Sequence, residues 1–431
     1  MKRQRVLRAA AVLLAALFTA LLTGCSFVGG TVNLDELLRA PQLSGEYSAV
    51  QTALNSYLGE SAQLRYPTHG DLLSPFLFGD WDGDGTQDAA VLYSATDSSN
   101  VQIAVLQKDA QGKWSVRSTA VGLSDTVDTV SFAAVQNVDT DQIVVGYATS
   151  GDTYLAVYAY AGGTLETVLQ QPYTQYLVED ITGSGTEDII LLSSDAEGQT
   201  QVQLLTYGSD GFTSMQVLGL SSDKFSGYAS LAAGKGSVRG SYLVLDGWTG
   251  ANGSYLASSI LQYDAETGRM DTAVLPGTSD IYTDSIRYAD CLTSRDIDGD
   301  GIVEVPAQGE EAGILNLTQT KRYSFVRWMD FTSTSAEKSF GIVDSEYGFY
   351  LRLPAEWEGN LMMTDRADGG IELYNLSGDQ LLLSMRLTGY VGAAGGWRRV
   401  SSVAGQQIQV QVGADVVLPD GYDLMQAVYL L

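Results

Sequence analysis

The chain has 431 residues, 45% of them hydrophobic, with 47 Gly and 24 Tyr but only 8 Pro, a composition for packed strands and tight turns rather than disorder. Acidic residues number 51 against 24 basic, a formal charge of −27. Such a surface repels phosphate backbones, so nucleic acid is excluded as a partner. One histidine, His69, and two cysteines, Cys25 and Cys291, exclude a histidine-rich zinc centre and a disulfide framework. A Ser/His/Asp triad would have to use His69, which sits in the turn-like Tyr66-Pro67-Thr68-His69-Gly70 and reads as an exposed loop residue.

In chain order, residues 1–24 form a targeting leader. A basic start (Lys2, Arg3, Arg5, Arg8) precedes the apolar run Ala9 to Leu22, too short to favour a spanning helix. The run ends in Leu22-Thr23-Gly24-Cys25, which resembles the bacterial lipobox. That resemblance implies cleavage before Cys25, diacylation of its thiol, and a mature chain held at the extracytoplasmic face of a cell membrane. Residues 25–42 then serve as a tether. Tyr47, Val50, Leu54 and Leu58 fall at helical spacing before Gly59, which predicts one amphipathic helix over Glu46 to Leu58.

Asp80-Trp81-Asp82-Gly83-Asp84-Gly85-Thr86-Gln87-Asp88 is the most distinctive stretch. Four carboxylates alternate through a glycine-bearing loop between apolar runs that read as strands. It returns as Asp296-Ile297-Asp298-Gly299-Asp300-Gly301-Ile302-Val303-Glu304 and, worn, as Asp180-Ile181-Thr182-Gly183-Ser184-Gly185-Thr186-Glu187-Asp188. A hard cation wants six to eight oxygens at about 2.3–2.6 Å. Asp80, Asp82, Asp84 and Asp88 can supply them with the Thr86 carbonyl. Asp296, Asp298, Asp300 and Glu304 can do the same with the Ile302 carbonyl. Asp180, Thr182, Ser184 and Asp188 keep half the charge, so two strong Ca²⁺ sites and one weak one are expected. An EF-hand would need Glu at position 12, where Val91 and Ala307 stand.

The loop resembles the calcium loops of FG-GAP/VCBS-type repeats, the blades of integrin-like β-propellers, over about residues 70–340. Corresponding positions near 80, 137, 180, 234 and 296 recur at about fifty residues, a spacing that suits blades of several short strands. Near 137 and 234 the cation loop is lost. Each repeat also carries an alternating strand before a turn: Val101 to Val105, Tyr154 to Tyr160, Val202 to Tyr207, Ile260 to Tyr263 and Tyr323 to Trp328. The fold expected is mainly β: an N-terminal helix and a propeller of about five blades over 43–340, then a small α+β domain over 341–431.

In that last region strands are expected at Glu346 to Pro354, Ile371 to Tyr374, Leu381 to Leu387, Gln407 to Val412 and Gln426 to Leu430, forming one small sheet. Its Tyr347-Gly348-Phe349 … Leu353-Pro354 … Trp357 opening resembles the start of PsbP-like domains.

Together these readings describe a lipid-anchored, calcium-stabilised binding protein that presents loops to an envelope protein or a glycan and is not an enzyme. Trp248 serves either to stack on a sugar or to pack the fold. A carboxylate-dependent hydrolase and a structural subunit of an envelope complex are the alternatives.

Overall fold

The computed structural model describes residues 45–431 except 97, 221, 237–239, 274–280, 289, 309–312, 318–321, 333–336, 390–391 and 393–394. The leader, Cys25 and the tether lie outside the described residues. The chain divides into two compact units, Met1–Thr52 and Ala53–Leu431. The expected helix runs Gly45–Leu58, with Val50 and Leu54 wholly buried. Among the described residues no helix is long and apolar enough to cross a membrane.

The rest is mainly β, in antiparallel sheets that follow one another along the chain. The first is built on Phe76–Gly79, Asp88–Ser94, Gln102–Lys108 and Trp114–Val121, with Gln63–Leu64 added at the second of these strands. The second sheet comprises Thr126–Asn137, Thr140–Ala148, Thr153–Ala161 and Thr164–Tyr173. The third holds Gln175–Glu179, Asp188–Ser194, Thr200–Gly208 and Gly211–Gly219. The fourth holds Gly227–Gly236, Gly240–Thr249, Tyr255–Asp264 and Arg269–Thr272. All five alternating stretches expected from the sequence are strands.

These strands read as unbroken apolar runs because both faces are covered, and strand periodicity sends successive side chains to opposite faces. Ile189 and Leu191 of the third sheet pack with Val144, Val157 and Leu169 of the second. Their neighbours Ile190 and Leu192 pack with Leu243, Leu245 and Leu261 of the fourth. Tyr242 and Val244, alternating with Leu243 and Leu245, turn the other way, to Val303, Val305 and Phe331. At about 1.5–3 kcal/mol for each fully buried aliphatic or aromatic side chain, these shared layers hold the succession together.

The fifth sheet corrects the expected organisation of the C-terminal region. It runs Val305–Gln308, Tyr323–Met329, Glu337–Asp344, Phe349–Arg352 and Val428–Leu430, so it takes strands from both sides of residue 340. The cause is local. The Gly348 amide donates to the Asp344 carbonyl at 2.9 Å, closing a tight turn that folds Phe349–Arg352 back onto Glu337–Asp344. The remaining expected strands form a sixth sheet with Ile314–Asn316, Leu361–Asp365 and Arg398–Val403. Helix among the described residues after 340 amounts to two 3-10 turns, Ala355–Trp357 and Leu424–Gln426. The α half of the expected α+β is therefore not seen there, since Gly- and Asp-rich turns interrupt the segment before any helical period can develop.

Candidate functional site

All three nine-residue loops are closed by antiparallel backbone. Two join the first strand of a sheet to the second: Phe76–Gly79 to Asp88–Ser94 in the first sheet, and Gln175–Glu179 to Asp188–Ser194 in the third. In the fifth, an isolated bridge pairs Arg295 with Glu304 just ahead of Val305–Gln308. The second sheet closes the corresponding connection with a tight hairpin, Asn137 opposite Thr140, and in the fourth Gly236 pairs with Gly240. Their first strands are correspondingly long, 12 and 10 residues against 4 and 5 in the first and third sheets. The loops thus alternate along the succession of sheets.

One carboxylate builds each loop. The Asp80 Oδ1 atom accepts from the Gly83 amide at 2.8 Å and the Asp84 amide at 3.2 Å, while Oδ2 accepts from Gly85 at 2.8 Å. Asp296 repeats this toward Gly299, Asp300 and Gly301 at 2.6, 3.1 and 2.8 Å. The winding needs left-handed backbone at the fourth and sixth loop positions, where φ is +75° and +80° at Gly83 and Gly85, and +83° and +86° at Gly299 and Gly301. The ninth residue closes the loop from below. Asp88 accepts from the Trp81 amide at 3.2 Å, Asp188 from Ile181 at 3.0 Å, and Glu304 from Ile297 at 3.1 Å.

With the loop wound this way, one oxygen from each of Asp80, Asp82 and Asp88 lies within 4.8 Å of the others, and Asp296, Asp298 and Asp300 converge equally. Oxygens across a calcium ion from one another stand about 4.8 Å apart, twice the usual bond length, so both trios fit a hard cation. Each omits one expected carboxylate: Asp84 accepts from the Thr86 amide at 2.7 Å, and Glu304 lies buried beneath its loop. The Glu304 Oε1 atom has no hydrogen-bond partner among the described residues. A buried acceptor without a donor is costly unless it is protonated or meets a cation. The Thr86 and Ile302 amides serve Asp84 and Asp300, respectively.

The worn loop is different. Asp180 still accepts from Ser184 and Gly185, at 3.0 and 3.1 Å, but the Ser184 hydroxyl donates to the Thr186 carbonyl at 3.2 Å. The Thr182 amide donates to Asp188 at 2.9 Å. Among the described residues no acidic trio converges there. The same winding of backbone is held by Asp180 and Asp188, with the Ser184 hydroxyl in place of a further carboxylate.

Electrostatics follow from this arrangement. Burial pushes the Asp88 carboxyl up to about 6, opposed by the Trp81 amide and reinforced by the charge of Asp82. Burial pushes Glu304 up to about 7, opposed by the Ile297 amide and reinforced by Asp298 and Asp300. Burial likewise raises Asp188. Asp300 moves the other way because the Lys338 ammonium donates to it.

Sequence reading missed a second cluster. His69 is exposed, as expected, at 75% of its side chain, yet its Nδ1 lies 2.6 Å from the Asp128 Oδ1 atom. The Tyr173 hydroxyl donates to Asp128 Oδ2 at 2.7 Å. No motif announces these residues, because 59 positions separate His69 from Asp128. Trp248 is half-buried in Gly240–Thr249. Cys291 is a free thiol packed against the cluster of Leu292, Ile297 and Trp328.

No family model matches the chain, and no curated protein matches it. Among solved structures, it is similar to the Dos1 propeller at 12% identity, covering 81% of this chain and 82% of that one, with a TM-score of 0.34. It is also similar to the Bacillus licheniformis rhamnogalacturonan lyase PL11 at 10% identity over 74% of each chain, TM-score 0.30. A third likeness is to the exotype rhamnogalacturonan lyase YesX at 13% identity, covering 55% of this chain and 59% of that chain, TM-score 0.21. Scores this low carry no argument about fold or chemistry.

Proposed function

We propose that this chain is a lipid-anchored extracytoplasmic binding protein whose first five sheets are the blades of a β-propeller stiffened by calcium. The sixth sheet is a small appended domain. Cys25 carries the lipid, and the propeller presents its loops to an envelope protein or a glycan. Asp80, Asp82, Asp84 and Asp88 with the Thr86 carbonyl hold one ion. Asp296, Asp298, Asp300 and Glu304 with the Ile302 carbonyl hold another, while Asp180, Thr182, Ser184 and Asp188 form a third, weak site.

The observation that carries this reading is the convergence of two aspartate trios to within 4.8 Å, one on the loop of the first sheet and one on the loop that leads into the fifth. Like charges so close repel, and a divalent ion turns that repulsion into coordination. The chemistry calcium supplies is structural: it locks loops that brace neighbouring sheets. Gly83 approaches Thr140 of the second sheet, and the Lys235 amide of the fourth sheet donates to the Gly301 carbonyl at 3.0 Å.

Calorimetric titration of the chelated protein tests the proposal. Two strong equivalents are expected, with stabilisation of about 2.7 kcal/mol at a hundred times the dissociation constant. Asp82→Ala combined with Asp298→Ala should abolish both. A melting temperature indifferent to calcium and chelator overturns it.

A further inference from the structure

The first strands of the second and third sheets, with the segment leading into the first sheet, enclose a cleft of about 550 Å³. That is the size of a small-molecule site. Its walls carry Asp71, Thr129, Ser131, Phe132, Tyr176 and Glu187. The Tyr176 hydroxyl is shared between Thr129 Oγ1 at 3.2 Å and Ser131 Oγ at 3.1 Å, and its ring stands edge-on to Tyr173 at 5.3 Å. Phe132 is backed by the buried Trp81 of the first loop, ring centres 5.0 Å apart. Glu187 of the worn loop is fixed by the Ala134 amide, 2.7 Å from Oε2. The walls are therefore rigid and built from both loop systems.

His69 immediately precedes Gly70 of the cleft wall, and its partner Asp128 immediately precedes Thr129 of the same wall. The His69 peptide is already tied to the second sheet, since its amide donates to the Asp128 carbonyl at 2.8 Å. The ring, 75% exposed, adds little to stability, for an exposed pair of this kind is worth at most about 1 kcal/mol. What the Asp128 carboxylate does is orient it. A carboxylate only accepts, so the Nδ1 that faces it donates. Asp128 is itself held by Tyr173, whose hydroxyl fits because Gly146 leaves the space a side chain would fill.

We propose that this cleft binds a neutral sugar ring; the inference deepens the binding reading above and rests on it. Carboxylates at Asp71 and Glu187 and hydroxyls at Thr129, Ser131 and Tyr176 match the alternating donors and acceptors of a polyol. Phe132 and Tyr176 offer apolar faces to its C–H side. Among the described residues no lysine or arginine lines the cleft, and the chain carries a charge of −27, so uronates and phosphosugars are disfavoured. His69 contributes its ring to a further hydroxyl.

The test is calorimetric titration of the full calcium-loaded chain with neutral oligosaccharides of glucose, galactose and N-acetylglucosamine, and with an oligouronate. Saturable binding of a neutral member is expected. It should weaken at least tenfold in Tyr176→Phe and in His69→Ala, with the uronate at least tenfold weaker than the best neutral sugar. Tyr176→Phe removes one oxygen and His69 is exposed, so both variants should melt like the parent. Sugar binding that neither substitution changes overturns the cleft and leaves the binding reading standing. Absence of saturable binding to every neutral sugar also overturns it, and calcium titration of the same samples shows whether the propeller reading falls too.

Discussion

The Lys338 ammonium lies 2.7 Å from Asp300 Oδ2, inside the third acidic loop. At the first loop the neutral Gln107 amide donates to Asp82 at 2.7 Å. Two loops that share their Asp-x-Asp-Gly-Asp-Gly core thus differ in the side chain that meets them. Both members of the Lys338–Asp300 pair are partly exposed, at 25% and 38% of their side chains, and such pairs contribute about 0.2–1 kcal/mol. That is too little to exclude a divalent ion and enough to tax its binding.

Lys338→Met should therefore raise calcium affinity at the third loop by up to about fivefold, the equivalent of 1 kcal/mol. The first loop should keep its affinity. Titration of the Asp82→Ala background, which isolates the third loop, checks this; an unchanged or lowered affinity would show that the ammonium does not compete.

Glu304 gives a pH dependence with a defined sign. Its carboxyl rises from an ordinary 4.5 to about 7 in the fold, chiefly through burial. A raised acid favours the folded state while protonated, so its contribution is whole below pH 4.5 and is lost as pH rises through about 7. In chelator, the parent should lose melting temperature across that window more steeply than Glu304→Gln. Added calcium should flatten the difference, because it binds the ionised form. Parallel slopes in chelator would refute the assignment.

Asp246 and Arg287 are wholly buried, with Nη2 2.7 Å from Oδ1. Ser230, Ser258 and Ser294 hydroxyls donate to the same carboxylate at 2.6, 2.6 and 2.7 Å. Burial alone would raise Asp246; the Arg287 charge and the hydroxyls hold it below its ordinary value. This network pins the crossing from the fourth sheet to the third acidic loop. Arg287→Met leaves a buried charge without its partner and should cost about 3–5 kcal/mol, read as a fall in the urea midpoint at unchanged slope. A loss under about 1 kcal/mol would show that water reaches the site.

On the proposed reading, in which acyl chains on Cys25 supply the anchoring apolar area, Cys25→Ser should release the chain, or its uncleaved precursor, from membranes under a salt wash. Retention equal to the parent would remove the lipid anchor from the reading.

The strands, the helix and the three loops were legible because each rests on local rules. Alternation marks strands, spacing of three and four marks the helix, and glycines at fixed positions permit one backbone winding. The acidic positions of those loops were legible too, although the structure draws only three carboxylates of each four together. Beyond the reach of such rules lay everything that depends on distant segments meeting. A five-residue turn decided that Phe349–Arg352 joins the fifth sheet rather than a separate one. Lys338 reached Asp300 across 38 positions, and His69 reached Asp128 across 59. Local sequence determines which backbone shapes are affordable. Only the packing of sheet on sheet determines which charges then face each other, because that depends on burial and register summed over the whole chain.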